Sequence, residues 1–154
     1  MGFWIQTGAL VISAIAAVAI IWANYRSECR RHTIEVGKEL IRDREIAEMR
    51  KIIVALHDKE QHNFARYLDN RESPEYQAIM KTLNNYEFLA IGIRTGAFDE
   101  KILKEMYYSI LIRDWDALNP FVNELRNQVK VSTIFQEFEW LGKRWKKKAL
   151  AKNS

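Results

Sequence analysis

An uncharged stretch of twenty-one residues, Phe3–Ala23, constrains this chain more than any other feature. It reads FWIQTGALVISAIAAVAIIWA, and a helix of that length reaches about 30 Å, the thickness of the hydrocarbon core of a bilayer. Trp4 and Trp22 lie near its two ends, where aromatic rings favour the headgroup region. We therefore expect residues 1–25 to form a transmembrane anchor in the lipid bilayer.

The charges beside this stretch predict its orientation. Arg26, Arg30 and Arg31 follow it with only Glu28 among them, and no Lys or Arg precedes it. The positive-inside rule then places the N-terminus outside and the C-terminal domain in the cytoplasm. A cleavable signal peptide would have a basic leader and a shorter apolar segment. We expect a single-pass protein of the cell inner membrane.

The composition of the remaining chain favours helices throughout. The sequence has two prolines and six glycines, and it lacks the Asn-Gly and Asp-Gly pairs that mark hairpins. About 130 residues are enough for one core. The fold class is therefore expected to be all-α, with a long juxtamembrane amphipathic helix over 26–72, a compact bundle of four to five helices over 73–148, and a basic tail over 149–154.

An apolar stripe runs along the expected juxtamembrane helix. Ile46, Met49, Ile53 and Leu56 follow one another at spacings of three and four residues, which places them on one helical face. Two interpretations remain open. The stripe either joins two copies into a homo-oligomer, or it packs on the bundle of its own chain.

Capping signals divide the C-terminal half into helices. They are Ser73-Pro74 at a helix start, Gly96 as a left-handed stop, Asp99 at the next start, Asn119-Pro120 at the start of a shorter helix, and Thr133 with Gln136 as a capping box. We expect an antiparallel pair of helices on either side of Gly96.

Three short segments carry a resemblance to a known family. They are NNYEFLAIG at 84–92, GAFDE at 96–100 and FEWLGKRW at 138–145. With the sequence around them they resemble bacterial proteins grouped as domain-of-unknown-function family 4760, and the likeness covers most of residues 30–145. It implies a membrane-attached helical protein of bacteria or their prophages. It supplies no catalytic residues.

The chemistry-bearing residues do not form a known site. His57 and His62 are five residues apart and His32 is distant, so no metal-binding pattern exists and the histidines are expected to be solvated. No nucleotide, cofactor or nucleophile motif is present.

One carboxylate stands out, since Glu87 lies within the most apolar helix. We expect a buried polar network of Glu87 and Asp99 with Arg94 and Arg113. Further candidates for it are Asp114, Asp116 and Arg126. Structural pairing is favoured over catalysis because a buried charge requires a partner, and we expect no enzyme.

The C-terminal segment is strongly basic. Lys143, Arg144, Lys146, Lys147, Lys148 and Lys152 are six cations in ten residues, more than the formal net charge of +4 of the whole chain. Together with Trp145, and with Arg26, Arg30 and Arg31, they form a predicted membrane surface for anionic lipid headgroups. A solvated helix end is the alternative. Nucleic acid is disfavoured because no reading motif accompanies the cations.

These features predict a non-enzymatic, membrane-tethered helical interaction protein with an unidentified protein partner, in prophage exclusion, defence or membrane stress. The first alternative is a membrane-bound hydrolase that uses Glu87 and Asp99. The second is a spanin-like lysis factor with its helical part outside the cytoplasm, which the arginine flank opposes.

Overall fold

The computed structural model describes the backbone of residues 2–60 and 63–150, and their side chains except those of residues 2–9, 11 and 60. Within this part of the chain there are five α-helices and no strand, which confirms the all-α fold class. The helices are α1 (Gly2–Arg42), α2 (Arg44–Glu60), α3 (Pro74–Arg94), α4 (Glu100–Val129) and α5 (Gln136–Lys147). A short 3₁₀ helix, Ala65–Asp69, lies between α2 and α3.

Helix α1 is continuous across the expected end of the anchor at residue 25. Its apolar side chains between Leu10 and Tyr25 are exposed. Considering only the described residues, none of the helices combines the length and the apolar character needed to cross a membrane. The predicted transmembrane span is therefore not confirmed, and the side chains of residues 3–9 and 11 within it lie outside the description.

The chain from 26 to 72 is not one long helix. Asp43 separates α1 from α2, and its Oδ1 accepts hydrogen bonds from the backbone N–H groups of Glu45 (2.8 Å) and Ile46 (3.1 Å). This side chain caps the start of α2. Gly37 lies inside α1, where a Cβ would overlap the end of the Met106 side chain.

The apolar stripe of α2 packs within its own chain. Ile53 and Leu56 are buried in the core, and Met49 packs against it. Helix α2 lies mainly on α3. Three of the four stripe residues thus pack on the bundle of their own chain, as the second interpretation expects, whereas Ile46 is half-buried and lies outside this core.

The α3–α4 hairpin follows its predicted caps. Ser73 Oγ accepts a hydrogen bond from the N–H of Tyr76 at 3.1 Å, and the Asp99 carboxylate accepts from the N–H groups of Lys101 and Ile102. Gly96 has φ +77°, the left-handed conformation expected of a helix stop. Each of these helix ends is therefore determined by a residue within a few positions of it.

The prediction of a new helix at Asn119-Pro120 is wrong, because Pro120 lies inside α4. A proline within a helix removes one hydrogen bond and costs about 3 kcal/mol. Leu118 and Phe121 on either side are fully buried, and burial of two such side chains contributes about 1.5–3 kcal/mol each. In the same turn, the N–H of Phe64 donates to the carbonyl of Ala117 at 3.3 Å.

Candidate functional site

The structure does not bring the four residues of the predicted network together. Glu87 and Arg94 meet the start of α5, Asp99 meets α1, and Arg113 lies beside Asp114. Three separate polar groups therefore replace the single one expected.

Glu87 caps α5 from a different helix. Its carboxylate accepts hydrogen bonds from the backbone N–H groups of Phe138 (2.7 Å) and Glu137 (3.3 Å). These are donors of the first turn that a helix cannot satisfy internally. The predicted capping box is wrong: Thr133 receives the N–H of Gln136 on its backbone carbonyl, not on its hydroxyl, and α5 has no side-chain cap of its own.

Arg94 completes this connection between α3 and α5. Its Nε lies 2.5 Å from the carboxylate of Glu137, whose side chain is 10% exposed. Negative charge near the N-terminus of α5 is favourable because the helix dipole is positive there. Glu87 and Arg94 therefore both fix the position of α5 on α3.

Asp99 attaches α1 to the α3–α4 hairpin. Its backbone N–H donates to the buried hydroxyl of Thr33 at 2.9 Å, and that hydroxyl donates to the carbonyl of Cys29 at 2.7 Å. Arg30 lies 3.5 Å from the Asp99 carboxylate. The carboxylate is thus used both as the cap of α4 and as an ion-pair partner of α1.

Two tyrosines extend the attachment of α1 in both directions. The hydroxyl of Tyr25 donates to the carbonyl of Gly96 at 3.2 Å, and that of Tyr107 donates to the carbonyl of Gly37 at 3.3 Å. From residue 25 to residue 37, about three turns, α1 therefore lies first against the loop at Gly96 and then against α4.

Asp114 is the centre of a buried polar group whose members were not predicted from the sequence. It is 2% exposed. Its Oδ2 accepts the hydroxyl of Tyr86 at 2.6 Å, its Oδ1 lies 2.8 Å from Nε2 of His57, and Arg113 donates to Oδ1 at 3.2 Å. The expectation of a solvated histidine is wrong for His57, whose side chain is 5% exposed. His62 lies outside the described residues.

The electrostatics of this group follow from its burial. Burial raises the pKa of Tyr86 well above its usual value, and the negative charge of Asp114 and its hydrogen bond raise it further. Tyr86 therefore remains a hydrogen-bond donor at neutral pH. With three donors directed at it, the Asp114 carboxylate is a satisfied structural anion.

The sequence did contain a signal for this centre. Asp114 takes one position of the α4 stripe Tyr107, Leu111, Asp114, Leu118 and Phe121, whose spacings alternate between four and three. A carboxylate at that position faces the core, where it needs donors from other helices.

The basic C-terminal segment is largely engaged with the bundle. Trp145 is 1% exposed, and its indole N–H donates to Glu100 at 3.2 Å. Its assignment to a membrane surface is wrong because the ring is in the core. Arg144 forms a two-pronged pair with Glu100, at 2.8 and 2.9 Å. That guanidinium holds the pKa of Glu100 below its usual value, and Glu100 raises the pKa of Arg144.

The other predicted surface cations fall into two groups. The paired ones are Lys143 with Glu139, Lys146 with Asp116, and Arg31 near Glu28 and Glu35. Arg26 lies over the ring of Trp22, at 5.4 Å. Lys147 and Lys148 are exposed, and Lys152 lies outside the described residues. Arg126, a further candidate for the network, pairs with Glu139 at 2.6 Å.

No arrangement for metal binding is present in the described part of the chain, where no three His, Cys, Asp or Glu side chains cluster. In comparisons with known proteins, residues 6–145 match a family described as Domain of unknown function (DUF4760). No curated protein and no solved structure matches the chain.

Proposed function

The chain belongs to the DUF4760 family, and we propose that it is a non-enzymatic, membrane-tethered interaction protein with its helical domain in the cytoplasm. One observation carries the proposal. Between residues 10 and 25, apolar side chains lie on all sides of α1 and are exposed, with values of 72% for Leu10, 67% for Val18 and 60% for Trp22. A helix that is apolar all round belongs in a membrane or in a core.

The second half of α1 supports a short, rigid tether. The helix continues without interruption from the apolar segment to Thr33, whose hydroxyl binds the hairpin. Tyr25 and Thr33 are eight residues apart, a distance of about 12 Å along the helix. A membrane around the apolar segment would therefore lie directly next to the end of the bundle that contains Gly96.

The remaining exposed cations support contact with anionic headgroups. The Lys104 ammonium donates to the carbonyl of Lys148, so the end of α5 lies near the first turns of α4. Those turns follow Gly96, where α1 leaves the bundle. Lys147 and Lys148 would each contribute about 1 kcal/mol beside an anionic leaflet.

The placement of the carboxylates favours an interaction role over the hydrolase alternative. Glu87 and Asp99 each accept two backbone N–H groups at a helix start, and Asp114 is enclosed by its donors. A catalytic carboxylate needs an accessible cleft and a reacting group within reach.

The test uses the full chain in isolated membranes. A variant with both Ile15→Arg and Val18→Arg should be released by an alkaline carbonate wash, whereas the unmodified protein should remain in the pellet. Val131→Arg is the matched control, because Val131 is an exposed apolar residue far from α1 in the sequence. Release of the unmodified chain, or retention of the double variant, would contradict the tether.

Orientation is tested separately. A reporter that is active only in the periplasm, fused after Ser154, should be silent. Strong activity would place the bundle outside the cytoplasm and favour the lysis alternative.

A further inference from the structure

Two adjoining cavities lie where the first turns of α2 meet the rest of the bundle. An inner cavity of about 50 Å³ is bounded by α2, α3, α4 and the end of α1, and an outer groove of about 470 Å³ runs along α2 beside the end of α1. Leu40, Ile46 and Arg50 line both of them. The groove is within the size range of about 300–1,000 Å³ that is typical of small-molecule sites.

The cation at this junction has no anionic partner. Arg50 is half-buried, and none of the described carboxylates lies within ion-pair distance of it. The nearby carboxylate of Asp114 is bound to Tyr86 and His57 instead. A guanidinium in mostly apolar surroundings is stabilised by a carboxylate, which it can bind through two parallel hydrogen bonds.

The other charges of the groove limit the ligand to one negative charge at one end. Lys51 is already paired with Glu48 at 2.7 Å, which leaves Arg50 as the cation for a ligand. Asp58 lines the groove eight residues further along α2, about 12 Å away, and would repel a second acidic group. The other residues that line the groove are mostly apolar and include Ile41 and Val54.

We propose that this groove binds a single-chain aliphatic carboxylate of the fatty-acid type. Its carboxylate lies on the guanidinium of Arg50, and its hydrocarbon chain lies along Leu40, Ile46 and Val54. The site uses no residue of the α1 segment between 10 and 25, so it is independent of the proposed tether.

The test is photolabelling of the full chain in a non-ionic detergent with dodecanoate that carries a diazirine on its chain. Labels should map by mass spectrometry to residues 40–54, and unlabelled dodecanoate should compete better than dodecanol. Arg50→Gln should reduce labelling about 10- to 100-fold, as expected for loss of a hydrogen-bonded charge pair. Arg44→Gln is the matched control, because Arg44 is an exposed arginine of α2 that does not line the groove.

A second variant separates loss of the site from loss of the fold. Val54→Trp fills the groove from an exposed position and should also reduce labelling, with an unchanged circular dichroism spectrum. Equal labelling of Arg50→Gln, labels confined to residues 10–25, or equal competition by dodecanol would overturn the proposal. Dimers of the chain that exclude the probe would overturn it too, since the groove would then be an interface between copies.

Discussion

Replacing Glu87 by alanine should loosen α5 from α3. The carboxylate accepts two backbone hydrogen bonds, at 2.7 and 3.3 Å, at the first turn of α5. A hydrogen bond to a charged group contributes about 1.5–3 kcal/mol when buried, and an N-cap about 0.5–2 kcal/mol. Because Glu87 is partly exposed, water can bind the freed backbone N–H groups and offset part of the lost hydrogen-bond energy. We expect the free energy of unfolding to fall by about 1–3 kcal/mol.

The assay is urea unfolding of the full chain in a non-ionic detergent, followed by circular dichroism and tryptophan fluorescence. Glu87→Gln should give an intermediate loss, because it keeps one acceptor oxygen without the charge. Glu124→Ala is the control, since Glu124 is an exposed glutamate of α4. A change for Glu87→Ala of less than about 0.5 kcal/mol, the range of ordinary surface substitutions, would refute the capping role. A stabilising effect would instead favour a catalytic carboxylate, because active-site residues are often held at a cost in stability.

Further predictions concern packing, burial and pH, and the same unfolding assay checks all three. Gly92→Ala should lower the free energy of unfolding by about 1–3 kcal/mol, because the new Cβ would overlap the ring of Phe98. The cost of this overlap exceeds the gain of about 1 kcal/mol in helix propensity. Tyr86→Phe should cost about 1–2 kcal/mol, because it leaves a buried carboxylate without one donor; no change would show that water replaces the hydroxyl. The pKa of Glu100 is lowered by Arg144, so this pair should stabilise the protein above pH 4.5, the unperturbed value, and lose its effect as the pH falls through the lowered pKa. Arg144→Gln should flatten that acid dependence, and an unchanged profile would contradict the argument.

The sequence determined the helical class and the ends that depend on local hydrogen bonds. Ser73, Gly96 and Asp99 mark helix boundaries where the structure has them. Each acts on backbone groups within about four residues, so its effect does not depend on how the helices are arranged. The family resemblance likewise rested on local segments, and the match over residues 6–145 confirms it.

Which helices supply partners to one another depends on how the chain packs in three dimensions. Pro120 continues a helix because buried side chains flank it, and α5 begins where Glu87, about fifty residues earlier, can accept its first N–H groups. Asp114 could be recognised as a charge in an apolar stripe, but its donors Tyr86 and His57 come from α3 and α2. Trp145 has lysines and an arginine on both sides of it in the sequence, but it lies in the core of the bundle. These cases share a physical reason: each depends on the groups that surround a residue in space, and residues far apart in the chain provide those surroundings.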